Sequence, residues 1–374
     1  MEENVKALLE QFRAIAGDPR KAMADHLAET GKGAIGMMPI YAPEELVHAT
    51  GFLPVGLWGG SRPVTKARTY LPPFACSVMQ QVMELECEGA YDDLAAVVFS
   101  VPCDTLKCMS QKWKGTSPVL VFTHPQNRGL EAANRFLERE YAILKEKLED
   151  ITGVKITNAD LERSIQIYNE NRAAMREFSA LAAQYPQVIS AVDRHAVFKA
   201  RLFMEKSRHT ALVRSLMEAV RASEPQPWTG KKVVVTGILL EPNGLLELFD
   251  RLGLAIVADD LAQESRQIRV DVPDGDEAPL YRLAKVWQNM YGCSVATDPQ
   301  KQRGPMLLDM VRKTGADAVV VAMMKFCDPE EWDYPIYYKQ FEAQGVRSLM
   351  IEVDQESTSF EQLHTRLQSL VETL

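Results

Sequence analysis

Three cysteines stand where a thiolate could be put to use. Cys103 follows one apolar run, in Val101-Pro-Cys-Asp-Thr105, and Cys327 follows another, in Lys325-Phe-Cys-Asp-Pro-Glu330. If those runs are parallel strands, both cysteines fall at a carboxyl end, the crevice where open α/β sheets bind ligands. Each is followed by Asp and helix-forming sequence, which predicts a sulfur near a helix N-terminus, where the macrodipole and free N–H groups favour thiolate. Cys76, in Leu71-Pro-Pro-Phe-Ala-Cys-Ser77, also precedes a predicted helix, with Ser77 as its cap.

Any one cysteine reads most simply as a small buried hydrophobe, and that reading is taken for Cys87, Cys108 and Cys293. For Cys103 and Cys327, a shared metal or cluster site stands beside it, because two separate segments each offer a thiol at a strand end. Structural zinc uses four ligands, usually in close C-x₂₋₄-C pairs. The only near pair here, Cys103 and Cys108, has the wider C-x₄-C spacing. Three thiolates from distant segments suit an iron–sulfur cluster with one iron left open.

These residues need a scaffold, and the hydrophobic pattern supplies one. Apolar runs at 34–39, 52–58, 94–100 and 117–122 read as strands, with helices at 44–50, 77–88 and 130–151. Residues 158–222 carry only helical periodicity, at 161–183, 196–205 and 211–221. The stretch 223–230, with two prolines and a glycine, reads as a linker. Strands then return at 232–240, 255–258, 318–324 and 348–353, with helices at 244–252, 280–291, 305–314, 334–344 and 360–373. The expected fold is α/β: two doubly wound, parallel four-stranded units, Rossmann- or flavodoxin-like, joined by a helical segment. The expected domains are 1–156, an N-terminal helix plus the first α/β unit; 157–230, the helical connector and linker; and 231–374, the second α/β unit.

Composition and absent motifs narrow the chemistry. The 374 residues carry a formal net charge of −9, which argues against a broad nucleic-acid surface. Six cysteines are too few for a disulfide scaffold. No stretch reads as a signal peptide or membrane span, so a cytoplasmic location is expected. Thr30-Gly-Lys-Gly33 lacks the Walker order and reads as a helix C-cap and turn; Val233 to Gly244 lacks the dinucleotide fingerprint. The chain is therefore expected to hydrolyse no nucleotide by itself.

Longer segments carry a resemblance. Met38-Pro-Ile-Tyr-Ala-Pro-Glu-Glu-Leu-Val-His48, Val101-Pro-Cys-Asp-Thr-Leu-Lys107, Asp259-Asp-Leu-Ala-Gln-Glu-Ser-Arg266 and Met324-Lys-Phe-Cys-Asp-Pro-Glu330 resemble the 2-hydroxyacyl-CoA dehydratases. So do Ala67-Arg-Thr-Tyr-Leu-Pro-Pro-Phe-Ala-Cys-Ser77 and Phe326 to Pro335, and the likeness extends over essentially the whole chain. It implies one subunit of an alpha–beta heterodimer, each subunit holding a [4Fe–4S] cluster on three cysteines, here Cys76, Cys103 and Cys327. It implies a beta subunit whose cluster relays electrons, with the acyl-CoA substrate held mainly by the alpha subunit. It also implies a separate ATP-hydrolysing iron–sulfur activator, in keeping with the missing Walker motif. The implied reaction adds one electron to a thioester carbonyl, giving a ketyl radical that expels the 2-hydroxyl and acidifies carbon 3. No catalytic base is identified, and a flavin is compatible with this chemistry but signalled by no motif. Two other readings compete: ATP-driven reduction of an aromatic acyl-CoA, and a cluster-free two-domain protein closing on a small anion.

The remaining polar residues receive plainer expectations. Asp104 and Asp328 are expected to cap helices, as are Asp259 and Asp260, with cation binding the alternative for that pair. Glu264 and Arg266 are expected to face the cleft, Arg266 towards a phosphate or a partner. His124 is expected to be a satisfied loop histidine, and Lys107, Lys112 and Lys114 a solvated face rather than a coenzyme A or activator patch.

Overall fold

The computed structural model describes residues 2–224 and 226–374; Pro225, within the predicted linker, lies outside the described residues. The first sheet is built from β1 (Ala34–Met37), β2 (Leu53–Gly56), β3 (Leu94–Ser100) and β4 (Val119–Phe122). The second is built from β5 (Lys231–Gly237), β6 (Leu254–Leu261), β7 (Ala318–Met324) and β8 (Ser348–Val353). Both are wholly parallel, in orders β2-β1-β3-β4 and β6-β5-β7-β8, so the second unit repeats the topology of the first.

Burial explains the strand sequences. β7, Ala-Val-Val-Val-Ala-Met-Met, is buried at every position, because helices cover both faces of a central parallel strand. The edge strand β4 alternates instead, with Leu120 and Phe122 buried and Val121 exposed. One apolar cluster runs through both sheets, from Ile35 and Val97 to Val235 and Val320.

The helical connector has its own core. The helix Glu2–Gly17 places Val5, Leu9 and Phe12 on one stripe, against Met175, Phe178, Val197 and Leu216 of the connector helices. The N-terminal helix thus packs on the connector.

Several boundaries move for identifiable reasons. The helix expected from 161 starts at Asn158, where Thr157 and Asp160 form a reciprocal capping box. The helix expected at 196–205 spans Ala191–Ala200, because Ser190 caps it through the Asp193 N–H; the next, Lys206–Arg221, is capped by Glu205. The helix expected from 334 begins at Asp328, with Pro329 in its first turn, and continues through Pro335. Gly31 closes the helix Pro19–Thr30 in the left-handed conformation at φ 68°, as the Thr30–Gly33 reading requires. No helix among the described residues is long and apolar enough to cross a membrane.

Candidate functional site: three cysteines at facing sheet ends

The chain reverses direction in each sheet between its first and third strand, β1/β3 and β5/β7, and the loops leaving those strands meet over one cavity of about 370 Å³. Ile40 follows β1, Trp58 follows β2, Ile238 follows β5 and Ala262 follows β6 on its wall. Cys76, Cys103 and Cys327 all line it. Each is the N-cap residue of a helix: Ser77–Cys87, Asp104–Lys112 and Asp328–Ala343 respectively. None uses its side chain to cap, which leaves the three sulfurs uncommitted to the backbone caps. Before Cys327 the chain turns sharply at Phe326, φ 63°, and the Cys327 N–H closes the turn on the Met324 carbonyl at 3.1 Å.

Ser77, Asp104 and Asp328 were expected as caps and are not. Each sits at the first helical position, one residue past the cap; there Asp104 and Asp328 favour the positive helix end without accepting a capping bond. Burial works against the thiolate that the helix ends favour. Burial pushes the Cys76 thiol up to about 12, although the Met79 and Val78 backbone N–H groups act the other way. Burial likewise raises Cys103, and it raises Cys327 further, with Glu330 and Cys76 adding to the effect. Desolvation outweighs the helix ends here.

The fit of these residues to an iron–sulfur cluster can be tested on this geometry. Among the described residues no group of three or more His, Cys, Asp or Glu is placed to hold a metal ion. A multinuclear cluster spreads its irons and so takes thiolates from a wider cavity than one ion does. Three thiols from distant segments, sharing one mostly apolar cavity and free of competing caps, are a donor set suited to such a cluster. The residues fit the group, with one coordination position left to something other than a cysteine of this set.

The other cysteines separate from the site. Cys87 is partly buried, and Cys108, expected to be buried, is exposed on the solvent side of its short helix. Cys293 is buried as expected, and its sulfur receives bonds from the Tyr41 hydroxyl at 2.9 Å and Arg266 Nη1 at 3.5 Å.

Behind Cys327 lies a charge network that sequence reasoning missed. β6 extends past Ala258 to include Asp259 and Asp260, so neither acid is a cap or an open cation ligand. Asp260 accepts from Arg303 Nε at 2.9 Å, from Thr236 Oγ1 at 2.8 Å, and from Arg266 and Arg269. Glu330, one turn into the Cys327 helix, accepts from Arg303 Nη2 at 2.8 Å and Ser294 Oγ at 2.6 Å. Arg266 is fully buried and donates to the Gly237 and Asp260 carbonyls, so it faces neither a phosphate nor a partner. Burial opposes the Asp260 charge, but Arg266, Arg269 and Arg303 outweigh it and hold the carboxyl well below the usual range. The available signal was the acid pair ending an apolar strand, with arginines six, nine and forty-three residues after the second acid.

Glu264 is likewise buried, pairing with Arg194 and with His195 Nδ1 at 2.7 Å; His195 Nε2 reaches Glu241 at 3.0 Å. His124 is buried against Trp287, and neither ring nitrogen has a partner, contrary to the satisfied loop residue expected. Burial drives its pKa to about 3. Lys107, Lys112 and Lys114 are exposed, as a solvated face should be.

Similarity to known proteins agrees with this architecture. The chain is 70% identical over 371 residues to the lactoyl-CoA dehydratase subunit beta of Anaerotignum propionicum, covering 99% of each chain. It is 42% identical to the (R)-phenyllactyl-CoA dehydratase beta subunit of Clostridium sporogenes, over 99% of this chain and 100% of that one. It is 36% identical to the (R)-2-hydroxyglutaryl-CoA dehydratase subunit beta of Acidaminococcus fermentans, over the same shares. The family model for the 2-hydroxyglutaryl-CoA dehydratase D-component matches residues 39–374, a span that holds all three cavity cysteines and every strand of both sheets except β1. This chain belongs to the 2-hydroxyglutaryl-CoA dehydratase D-component family.

Proposed function

We propose that this chain is the beta subunit of a (R)-2-hydroxyacyl-CoA dehydratase, a lyase, acting on lactoyl-CoA to give acryloyl-CoA. The observation that carries the proposal is the 70% identity to a lactoyl-CoA dehydratase beta subunit over 99% of both chains. A homologous alpha subunit is its partner, and a separate ATP-hydrolysing activator delivers the electron.

In this reading Cys76, Cys103 and Cys327 hold a [4Fe–4S] cluster, which when bound supplies one-electron transfer. The chain's own contribution is positional and electrostatic. The three helix ends fix where the sulfurs stand, and their N–H groups face the negative charge that thiolate ligands bring. The raised thiol pKa values mean that loading must release protons from these cysteines. The Asp260–Arg303–Glu330 network ties the Cys327 helix to β6, restricting movement of that ligand. Apolar groups such as Ile40, Trp58 and Ile238 limit water at the site.

The experiment is anaerobic co-expression with the alpha partner, followed by iron and sulfide analysis and turnover of lactoyl-CoA and benzoyl-CoA. Iron and sulfide bound to this chain, lost in Cys76→Ala, Cys103→Ala and Cys327→Ala but kept in Cys108→Ala, is the expected result. Protein without iron or sulfide, or iron content indifferent to the three substitutions, overturns the cluster assignment. Turnover of benzoyl-CoA in place of lactoyl-CoA overturns the substrate.

A further inference from the structure

One wall of the cysteine cavity is anchored from outside it. Trp58 lines that cavity and also a separate cleft of about 760 Å³, whose walls include His195, Lys199 and Glu241. The Trp58 carbonyl accepts from Gln355 Nε2 at 3.0 Å, and the same nitrogen donates to Glu241 Oε2 at 2.7 Å. Trp58 follows β2 and Gln355 follows β8, so one buried amide ties the first unit to the second.

The connector in turn holds Glu241. Its Oε1 lies 3.0 Å from His195 Nε2 and accepts from Lys199 Nζ at 2.5 Å and Gln263 Nε2 at 3.3 Å. His195 Nδ1 lies 2.7 Å from Glu264 Oε1, and Arg194 pairs with both Glu264 and Asp259. Asp259 also accepts from the Leu261 and Ser265 N–H groups, as an ionised carboxylate does. The bases Arg194, His195 and Lys199 all come from the helix Ala191–Ala200; the acids come from β6 and the loops after β5 and β6. An ionised carboxylate only accepts, so a ring with a carboxylate oxygen at each nitrogen must donate from both. The same proton balances the cluster, three acids against three bases. Burial opposes the charge on His195, but Glu241 and Glu264 outweigh it and raise its pKa.

We propose that His195 is a resident imidazolium and a positioning residue: through Glu241 and Gln355 it fixes the backbone of Trp58, and with it one wall of the cysteine cavity. A neutral ring would aim a lone pair at one carboxylate and leave the buried cluster with an acid in excess, which is costly. The unfolded chain gives up this proton near pH ~6.5, the folded chain only at higher pH. The clamp is therefore at full strength below ~6.5 and weakens as pH rises through the folded value. No link in it involves a cysteine, so it stands or falls apart from the cluster assignment.

The test uses the purified protein, with its partner subunit where the two co-purify. His195→Gln should lower Tm at pH ~6.5, and the gap to wild type should narrow as pH rises to ~9. One differential proton changes the folding constant by up to about tenfold per pH unit, whereas a merely structural contact would keep the gap constant. Hydrogen exchange followed by mass spectrometry reads the wall: residues 57–61 should exchange faster in His195→Gln and in Gln355→Leu, relative to β7. Gln355→Leu leaves the His195 proton in place, so its Tm should keep the wild-type pH dependence. Arg13→Ala, which frees Asp193 on the same connector helix, should leave exchange at 57–61 unchanged. Should His195→Gln not fold, exchange at 57–61 in Gln355→Leu, and in wild type at pH ~6.5 and ~9 after correction for the intrinsic rate, decides. A Tm gap constant with pH, or residues 57–61 indifferent to the substitutions and to pH, overturns the proposal.

Discussion

Replacing Asp260 by Asn should test whether the network behind Cys327 holds the second unit together. The side chain is fully buried and receives Arg303, Arg266, Arg269 and Thr236. Asparagine keeps the shape but removes the charge, and its amide N–H₂ group points donors at donors. Arg266 and Arg303, also buried, would then share Glu330 as their remaining buried carboxylate. Breaking a buried ion pair by neutralising one partner costs about 3–5 kcal/mol, chiefly from the charge left uncompensated. An unfolding entropy of ~2.1 cal/mol/K per residue turns that into a Tm drop of about 4–6 °C for a chain of 374 residues. Circular dichroism melts of wild type and Asp260→Asn measure it, with Lys155→Ala as the control. Lys155 pairs with Glu149 while 81% exposed, and its loss should leave the melting temperature within error of wild type. Because Glu330 lies on the Cys327 helix, Asp260→Asn should also lower iron retention in protein that remains folded. A folded Asp260→Asn protein melting within 1 °C of wild type would refute the reasoning, and with it the claim that Asp260 is the anchor.

Three further outcomes are expected. Burial holds both His124 and His209 at about 3, so the unfolded chain takes up protons first as pH falls below ~6.5. Stability is full above that pH and declines towards pH 3; at pH 5 each histidine contributes about 2 kcal/mol of loss. Urea unfolding of wild type and His124→Phe between pH 7 and 5 reads this, and identical pH slopes would contradict it. Gly237→Ala should destabilise by at least about 1–3 kcal/mol in the same assay, since its φ is 151° and the new Cβ would sit 2.2 Å from the Ala322 carbonyl oxygen. Glu330→Gln should reduce iron content more than overall stability relative to Asp260→Asn, because Glu330 is the member on the Cys327 helix; equal effects would dissociate the network from the ligand.

The local pattern of the chain was enough to establish its two parallel units, since apolar runs such as Ala318–Met324 and Ser348–Val353 match the strands residue for residue. Parallel strands covered on both faces leave little ambiguity in sequence, and their ends locate the ligand crevice. That is why Cys103 and Cys327 could be singled out, and why Cys76 could be placed at the start of a helix. Failures cluster where a residue's state depends on distant partners. Asp260 reads as a helix cap and Arg266 as a cleft group facing a phosphate or a partner, because charged residues are seldom fully buried; here arginines and acids from separate segments neutralise one another inside the second unit. The helix expected only from 334 starts six residues earlier at Asp328 and runs through Pro335, with Tyr337 and Phe341 packed beneath β7. Cys108 reads as core because cysteine usually is, and its exposure follows from which face of a short helix meets the sheet.

By itself, then, the sequence determined the element order, the doubled α/β plan and the cysteines worth attention, all of which rest on periodicity and near-neighbour chemistry. Tertiary structure decided that three cysteines from distant segments share one cavity, that burial raises the pKa of their thiols, and that Asp260 is held among three arginines. Each of these depends on desolvation and on charges brought together across long stretches of chain, and neither quantity exists before the two sheets have met.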